Sequence, residues 1–110
     1  MGVKKLNRFD VLLADFSGSK GREIQKTRPC LVVSPNELNH RMRTVLVAPL
    51  TSTIKGYPFR VRCTFQGKEG EIALDQTRTM DGRRFLSRLG SIEPSTGQEA
   101  LRILRQMFAD

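Results

Sequence analysis

The sequence predicts a mainly β domain, a strongly bent antiparallel sheet or small barrel, closed by one C-terminal α-helix. Three observations point there. Five or six short apolar runs are separated by loops and turns rich in Gly, Ser, Thr and Pro. In "PFRVRCTF", Phe59, Val61, Cys63 and Phe65 alternate with Arg60, Arg62 and Thr64, the period of a strand with one face on a core and, here, a basic opposite face. In the last segment Ala100, Ile103, Leu104, Met107 and Phe108 recur at helical spacing, with Arg102, Arg105 and Gln106 off that stripe.

Taken in order, a basic N-terminal arm leads into "FDVLLADF", the first strand. "SGSKGREIQKT" has no hydrophobic period and reads as a loop of about ten residues, long enough to suggest function. "RPCLVVS" is a continuous apolar run bounded by Pro29 and Pro35, the mark of a buried strand. Ser34, Pro35 and Glu37 have the form of a capping box, so a short helix is expected through about Arg41. "RTVLVAPL" is the next strand and "TSTIKGYP" the loop after it. A turn at Gly67 and Gly70 leads from "PFRVRCTF" into "GEIALDQ", and "RRFLSRLGSI" supplies one more strand before the helix. With no repeat, low-complexity tract or long linker, residues 1–110 read as one domain.

Composition narrows the function classes. No run approaches the roughly 18 apolar residues needed to cross a membrane. "MGVKKLNRFD" turns polar again before any signal-peptide core could form, so a cytoplasmic, membrane-free protein is expected. Cys30 and Cys63 lie inside apolar strand patterns, match no metal or redox spacing and read as reduced core residues. Nineteen Lys plus Arg against eleven Asp plus Glu give a net charge of +8, a field that attracts polyanions: nucleic acid, an acidic protein or an anionic surface. One Tyr, no Trp and six Phe leave few stacking platforms for a passive single-strand binder.

The usual catalytic equipment is sparse. His40 is the only histidine, and no P-loop, dinucleotide fingerprint or acidic metal cage is present, so an enzyme of this sequence is expected to work without metal or cofactor. What remains is a set of charged and hydroxyl residues at strand ends: Arg28 before the apolar run, Thr51 and Ser52 after "VLVAPL", Asp75 and Gln76 after "EIAL". An arginine beside hydroxyls suits a phosphate, because its planar fork donates two charge-assisted bonds and keeps its charge. The alternative on the residues alone is that Arg28 caps a strand and pairs with Glu23 or Asp75, while Thr51 satisfies a turn.

"TRPCLVVSPNELN", "VAPLTSTIKGYPFRV" and "GEIALDQTRTMD" resemble, in order and spacing, the three signature blocks of the MazF/PemK family of toxin endoribonucleases from bacterial toxin–antitoxin modules. The resemblance runs from about Phe9 to Phe108. It implies an SH3-like, strongly twisted small barrel with a C-terminal helix (the CcdB/PemK-like fold), assembled as a homodimer. It also implies metal-independent, sequence-selective cleavage of single-stranded RNA, usually messenger RNA, to a 2′,3′-cyclic phosphate and a 5′-hydroxyl. By the same resemblance Arg28 and Thr51 carry catalysis, Ser52 is the neighbouring hydroxyl, Glu23 an acidic residue lining the site, and Asp75 a base. Ala73 and Thr27 stand where some members have an arginine and a histidine.

On that reading loops 17–27 and 52–58 flank a groove with Arg28 at its floor. Lys20, Arg22, Lys26 and Lys55 attract the RNA backbone, and Thr27, Gln76 and Arg78 complete the substrate-facing set. The groove would equally accept the acidic, disordered tail of a cognate antitoxin. Two rivals belong to other classes: a DNA gyrase poison like CcdB, whose Trp-Gly-Ile ending is absent from "QMFAD", and an RNA-binding barrel without catalysis.

Overall fold

Both faces of the central strands are buried, which is why they read as continuous apolar runs. The structure, a computed structural model, describes residues 5–110, so the first part of the basic N-terminal arm lies outside the described residues. Strands β1 (Asp10–Asp15), β2 (Thr27–Val32), β3 (Thr44–Thr51), β4 (Arg60–Phe65), β5 (Lys68–Ala73), β6 (Arg78–Asp81) and β7 (Phe85–Ser91) form one antiparallel sheet in the order β4-β5-β3-β2-β1-β7. β3 joins its parts. It pairs with β2 on one side, and on the other with β6 along Thr44–Val47 and with β5 at Leu50 and Thr51.

Successive residues of β1, β2 and β3 point into two different cores. Leu12, Cys30, Val32, Val45, Val47, Met80 and Phe85 fill one. Val11, Leu31, Ala48, Leu50, Ile72 and Ala100 fill the other, which is covered by α2 (Pro94–Met107) through Ile103, Leu104 and Met107. The sheet curls around the second core without closing: β4 and β7, which bring Val61, Phe65 and Leu89 to that core, approach where Gln66 Nε2 donates to the Leu89 carbonyl, 3.2 Å away. A mainly β domain with a C-terminal helix and a strongly twisted sheet is as the sequence predicts. Among the described residues no helix is long and apolar enough to cross a membrane.

Several local expectations are corrected. No capping box forms: α1 (Asn36–Asn39) is one turn with Pro35 as its N-cap and no side-chain cap. The Ser34 hydroxyl is taken elsewhere, accepting from Leu46 N and bonding Asn39 Oδ1, while Asn39 Nδ2 donates to the Ser34 carbonyl. This buried pair ties α1 to β3. β6 goes unpredicted because "RTMD" carries one apolar residue; its partner is the backbone of β3, and only Met80 turns inward. Phe59 lies outside the alternation, exposed at a backbone φ of 62°, because the chain is still turning before β4. Phe108 follows the end of α2 and is 82% exposed, so it leaves the apolar stripe. Gly70 is a residue of β5 and not of a turn; Gln66 and Gly67, both at positive φ, make the two-residue hairpin.

Cys30 is fully buried, and burial pushes its thiol up to about 12. Cys63 is only partly buried, because it stands on the edge strand β4 at the wall of a cleft.

Candidate active site

Extending the β2–β3 register, in which Cys30 lies opposite Pro49, by two residues brings Arg28 level with Thr51. There β3 has left β2 for β5, and the space between the diverging strands is an open cleft of about 380 Å³. Arg28, Thr51 and Ser52 line it together, as the sequence predicts, with Thr27 at its edge. The opposite wall is the β4–β5 hairpin, through Cys63, Phe65 and Glu69.

Arg28 is aimed by Nε, which donates to the Gln25 carbonyl at 3.0 Å, leaving its terminal nitrogens for a ligand. Among the described residues it forms no ion pair with any carboxylate. The alternative of Arg28 as a strand cap paired with Glu23 or Asp75 is therefore not what the chain does. Partial burial pulls Arg28 below its ordinary value, but an arginine so placed stays charged. A desolvated guanidinium without a counter-ion favours an anion. Thr51 Oγ1 accepts from Thr53 N at 3.2 Å, so its hydroxyl proton remains free to donate. The Thr51 carbonyl passes directly over Gly70, where a side chain would collide with it.

The carboxylates predicted for this site stand elsewhere. Glu23, Asp75, Gln76 and Arg78 line a second cavity of about 190 Å³ beside Phe16 and Ser19. Glu23 is exposed and accepts from Lys20 N at 2.7 Å. Gln76 Oε1 accepts from Ile24 N at 2.6 Å, so its carbonyl end is spent on holding the 17–26 loop. Arg78 bonds the Ser19 hydroxyl at 3.1 Å and lies over the Phe16 ring. Lys20, Arg22, Lys26 and Lys55 are exposed on the two loops.

Asp75 has a partner that sequence reading missed. Arg60 grips it with Nε to Oδ1 at 2.6 Å and a terminal nitrogen to Oδ2 at 3.2 Å, and a further nitrogen reaches Glu71 at 3.3 Å. Arg60 lies on the face of β4 that the sequence marks as basic, yet its side chain is only 6% exposed. It raises no solvated patch because two carboxylates and the Tyr57 ring enclose it. The opposite charges of Arg60 on β4, Glu71 on the facing strand β5 and Asp75 in the turn after it were the available signal. Glu69 was missed as well; it stands at the edge of the β4–β5 hairpin, where it borders both the cleft and the pocket beside Thr64. Among the described residues no group of three or more His, Cys, Asp or Glu could hold a metal ion.

Residues 7–108 match the family described as the PemK-like, MazF-like toxin of type II toxin–antitoxin systems. The endoribonuclease toxin MazF of Escherichia coli K12 is 34% identical over 86 residues, covering 77% of this chain and 78% of that protein. The crystal structure of MazF from Deinococcus radiodurans superposes with a TM-score of 0.82 at 28% identity, covering 93% of this chain and 94% of that one. A mycobacterial endoribonuclease in complex with its cognate antitoxin shares the fold at a TM-score of 0.77, with 22% identity and 92% of each chain covered. The chain belongs to the PemK-like, MazF-like family of toxins of type II toxin–antitoxin systems.

Proposed function

We propose that the protein is the toxin of a type II toxin–antitoxin module and an endoribonuclease that cleaves single-stranded RNA, messenger RNA in the cell, by attack of a 2′-hydroxyl on the adjacent phosphate. The observation that carries this reading is the pairing, in one cleft, of an Arg28 guanidinium without a carboxylate partner and the Thr51 hydroxyl. The new bond is 2′-O to phosphorus and the broken one phosphorus to 5′-O, leaving a 2′,3′-cyclic phosphate and a 5′-hydroxyl. Charge builds on the non-bridging oxygens, where the two free nitrogens of Arg28 and the Thr51 hydroxyl donate. Ser52, beside Thr51, helps seat the phosphate in line.

The 2′-OH proton leaves through water to Glu23, which lines the neighbouring cavity and not the Arg28 cleft itself, and the leaving 5′-oxygen takes one from water held at Arg28. Asp75 is less suited, since Arg60 occupies both its oxygens. Glu23 keeps one oxygen free, and the Arg28–Gln25 bond ties its loop to the guanidinium. Lys20, Arg22, Lys26 and Lys55 draw the RNA backbone over the cleft, with Thr27, Gln76 and Arg78 along its path. The same basic surface accepts an acidic antitoxin segment that blocks RNA. The protein works in the cytoplasm as a homodimer, with the exposed Phe108 at the end of α2 within the apolar surface available to a second copy.

The test is incubation with a long single-stranded RNA in EDTA, mapping fragment 5′ ends beside an Arg28→Ala control. Discrete cuts that vanish in a folded Arg28→Ala protein establish the activity and its cofactor independence; a folded, active Arg28→Ala refutes the assignment. A gyrase supercoiling assay covers the rival reading, which nothing in the site favours.

A further inference from the structure

The 52–59 loop is exposed along its whole length, yet it is pinned from beneath by one buried carboxylate. Glu71 is 1% exposed and accepts from Gly56 N at 2.7 Å, with Lys55 N also donating to it. Arg60 closes the arrangement by bonding Glu71 and, bidentately, Asp75. Above it stands Tyr57, the only tyrosine, 47% exposed, with the Arg60 guanidinium 5.1 Å from its ring centroid and the Lys55 ammonium 5.4 Å away. The two cations differ: Arg60 is held by two carboxylates, whereas Lys55 is exposed and forms no ion pair among the described residues. An incoming planar group can displace Lys55 and leave its ammonium free for a neighbouring phosphate. The loop begins at Ser52, a residue of the Arg28 cleft, and Glu71 beneath it pairs with Thr51 of β3, so the loop is tied to the cleft at two points.

We propose that Tyr57 is a stacking platform for one unpaired base of the RNA, that Lys55 takes the adjoining phosphate, and that Glu71, Arg60 and Asp75 are positioning residues that hold this platform at the cleft. The proposal rests on the reading above for its substrate and adds the residue that holds a base. It also gives Asp75 a different task from proton transfer. A base on an aromatic ring is worth about 1–3 kcal/mol, or roughly a five- to 150-fold change in affinity.

The test measures binding and cleavage separately. Binding is read by fluorescence anisotropy with a short single strand of 2′-O-methyl RNA of randomised sequence, which cannot be cut. Tyr57→Ala is expected to weaken binding about tenfold and Tyr57→Phe to restore it to within about twofold. Asp75→Asn, conservative in shape at a side chain a third exposed, is expected to weaken binding and raise KM while kcat falls less than about threefold. In a Glu71→Gln background, checked for folding by circular dichroism, Tyr57→Ala should cost little more, because the platform is already unmoored. The proposal is overturned if Tyr57→Ala binds as the wild type, if Tyr57→Phe is as weak as Tyr57→Ala, if the Glu71 and Tyr57 effects simply add, or if Asp75→Asn abolishes kcat with binding intact. A wild-type protein that cuts no RNA would sink the proposed function, while the anisotropy series would still decide the platform.

Discussion

A single methyl group at Gly70 should disable the protein. Gly70 lies in β5 where that strand leans on the end of β3, and a Cβ built there meets the Thr51 carbonyl oxygen well inside contact distance, with Thr51 C at 3.2 Å and Ser52 Cα at 3.5 Å. Every neighbour is backbone, so no side chain can swing away; β3 and β5 must part by something approaching an ångström. Overpacking of this kind costs about 1–3 kcal/mol. Unfolding entropy of about 2.1 cal/mol/K per residue turns each kcal/mol into about 4 °C for a domain of 110 residues, so Gly70→Ala should melt some 4–13 °C below wild type. The displaced atoms are those that set Thr51 and Ser52 against Arg28. A misplacement near 1 Å at a reacting centre costs about a hundredfold, so kcat should fall at least that far at temperatures where the variant is fully folded. Gly67→Ala is the control: at φ +77° in the hairpin it carries about 1–2 kcal/mol of backbone strain, but nothing lies within 4 Å of its Cβ and it should cut at wild-type kcat. Melting by circular dichroism and single-turnover cleavage suffice. A Gly70→Ala protein with wild-type kcat would refute the claim that the Thr51–Gly70 approach sets the geometry of the cleft.

Arg28→Lys keeps the charge and loses the fork, so kcat/KM should drop about a hundredfold or more with Tm unchanged; wild-type rates would mean that a point charge is enough. Thr51→Ser should retain most activity and Thr51→Val should not, read in the same cleavage assay. Burial works to raise Glu71, but the Gly56 and Lys55 amides and Arg60 outweigh it and hold the carboxyl below its ordinary 4.5. The unfolded chain then binds the extra proton near and below that value, so the stability Glu71 confers is full above about pH 4.5 and is lost as pH falls through its lower folded value. Melting curves should show the gap between wild type and Glu71→Gln shrinking in that window; a gap independent of pH would contradict it. A thiol reagent at pH 8 should label Cys63, which lines the cleft, ahead of Cys30, whose thiol is buried and pushed up to about 12. Bound 2′-O-methyl RNA should slow the Cys63 reaction, and equal labelling with and without RNA would place the strand elsewhere.

What was legible in the sequence is what apolar burial and backbone pairing dictate locally. "RPCLVVS" and "VLVAPL" read as buried strands because alternate residues enter two cores, so no polar face interrupts them. The helical stripe was readable up to Met107, beyond which periodicity cannot say where the helix stops. β6 was not readable because its stability is borrowed from β3: four backbone pairings and Met80 hold a segment with no strand pattern of its own. The capping box failed for the opposite reason. Its local pattern was sound, but a tertiary partner, Leu46 N, competes for the same hydroxyl.

The site was legible by residue type and illegible by connection. Arg28, Thr51 and Ser52 meet because they end neighbouring strands of known register, which sequence order can anticipate. The carboxylates do not follow that logic, since charge alone does not say which arginine a given aspartate will hold. Asp75 is claimed by Arg60 from β4 and lines the second cavity, while Arg28 stands without a carboxylate partner in its own cleft. The +8 chain has cations to spare, and it commits one to a carboxylate and leaves the other for a ligand. If Arg60 were removed, Asp75 would be released as a free anion beside the RNA path and the Tyr57 platform would lose its support. Arg60→Ala should therefore weaken RNA binding more than loss of a surface cation away from the cleft such as Arg41, a difference that stays visible at high salt, where the screened surface contribution fades.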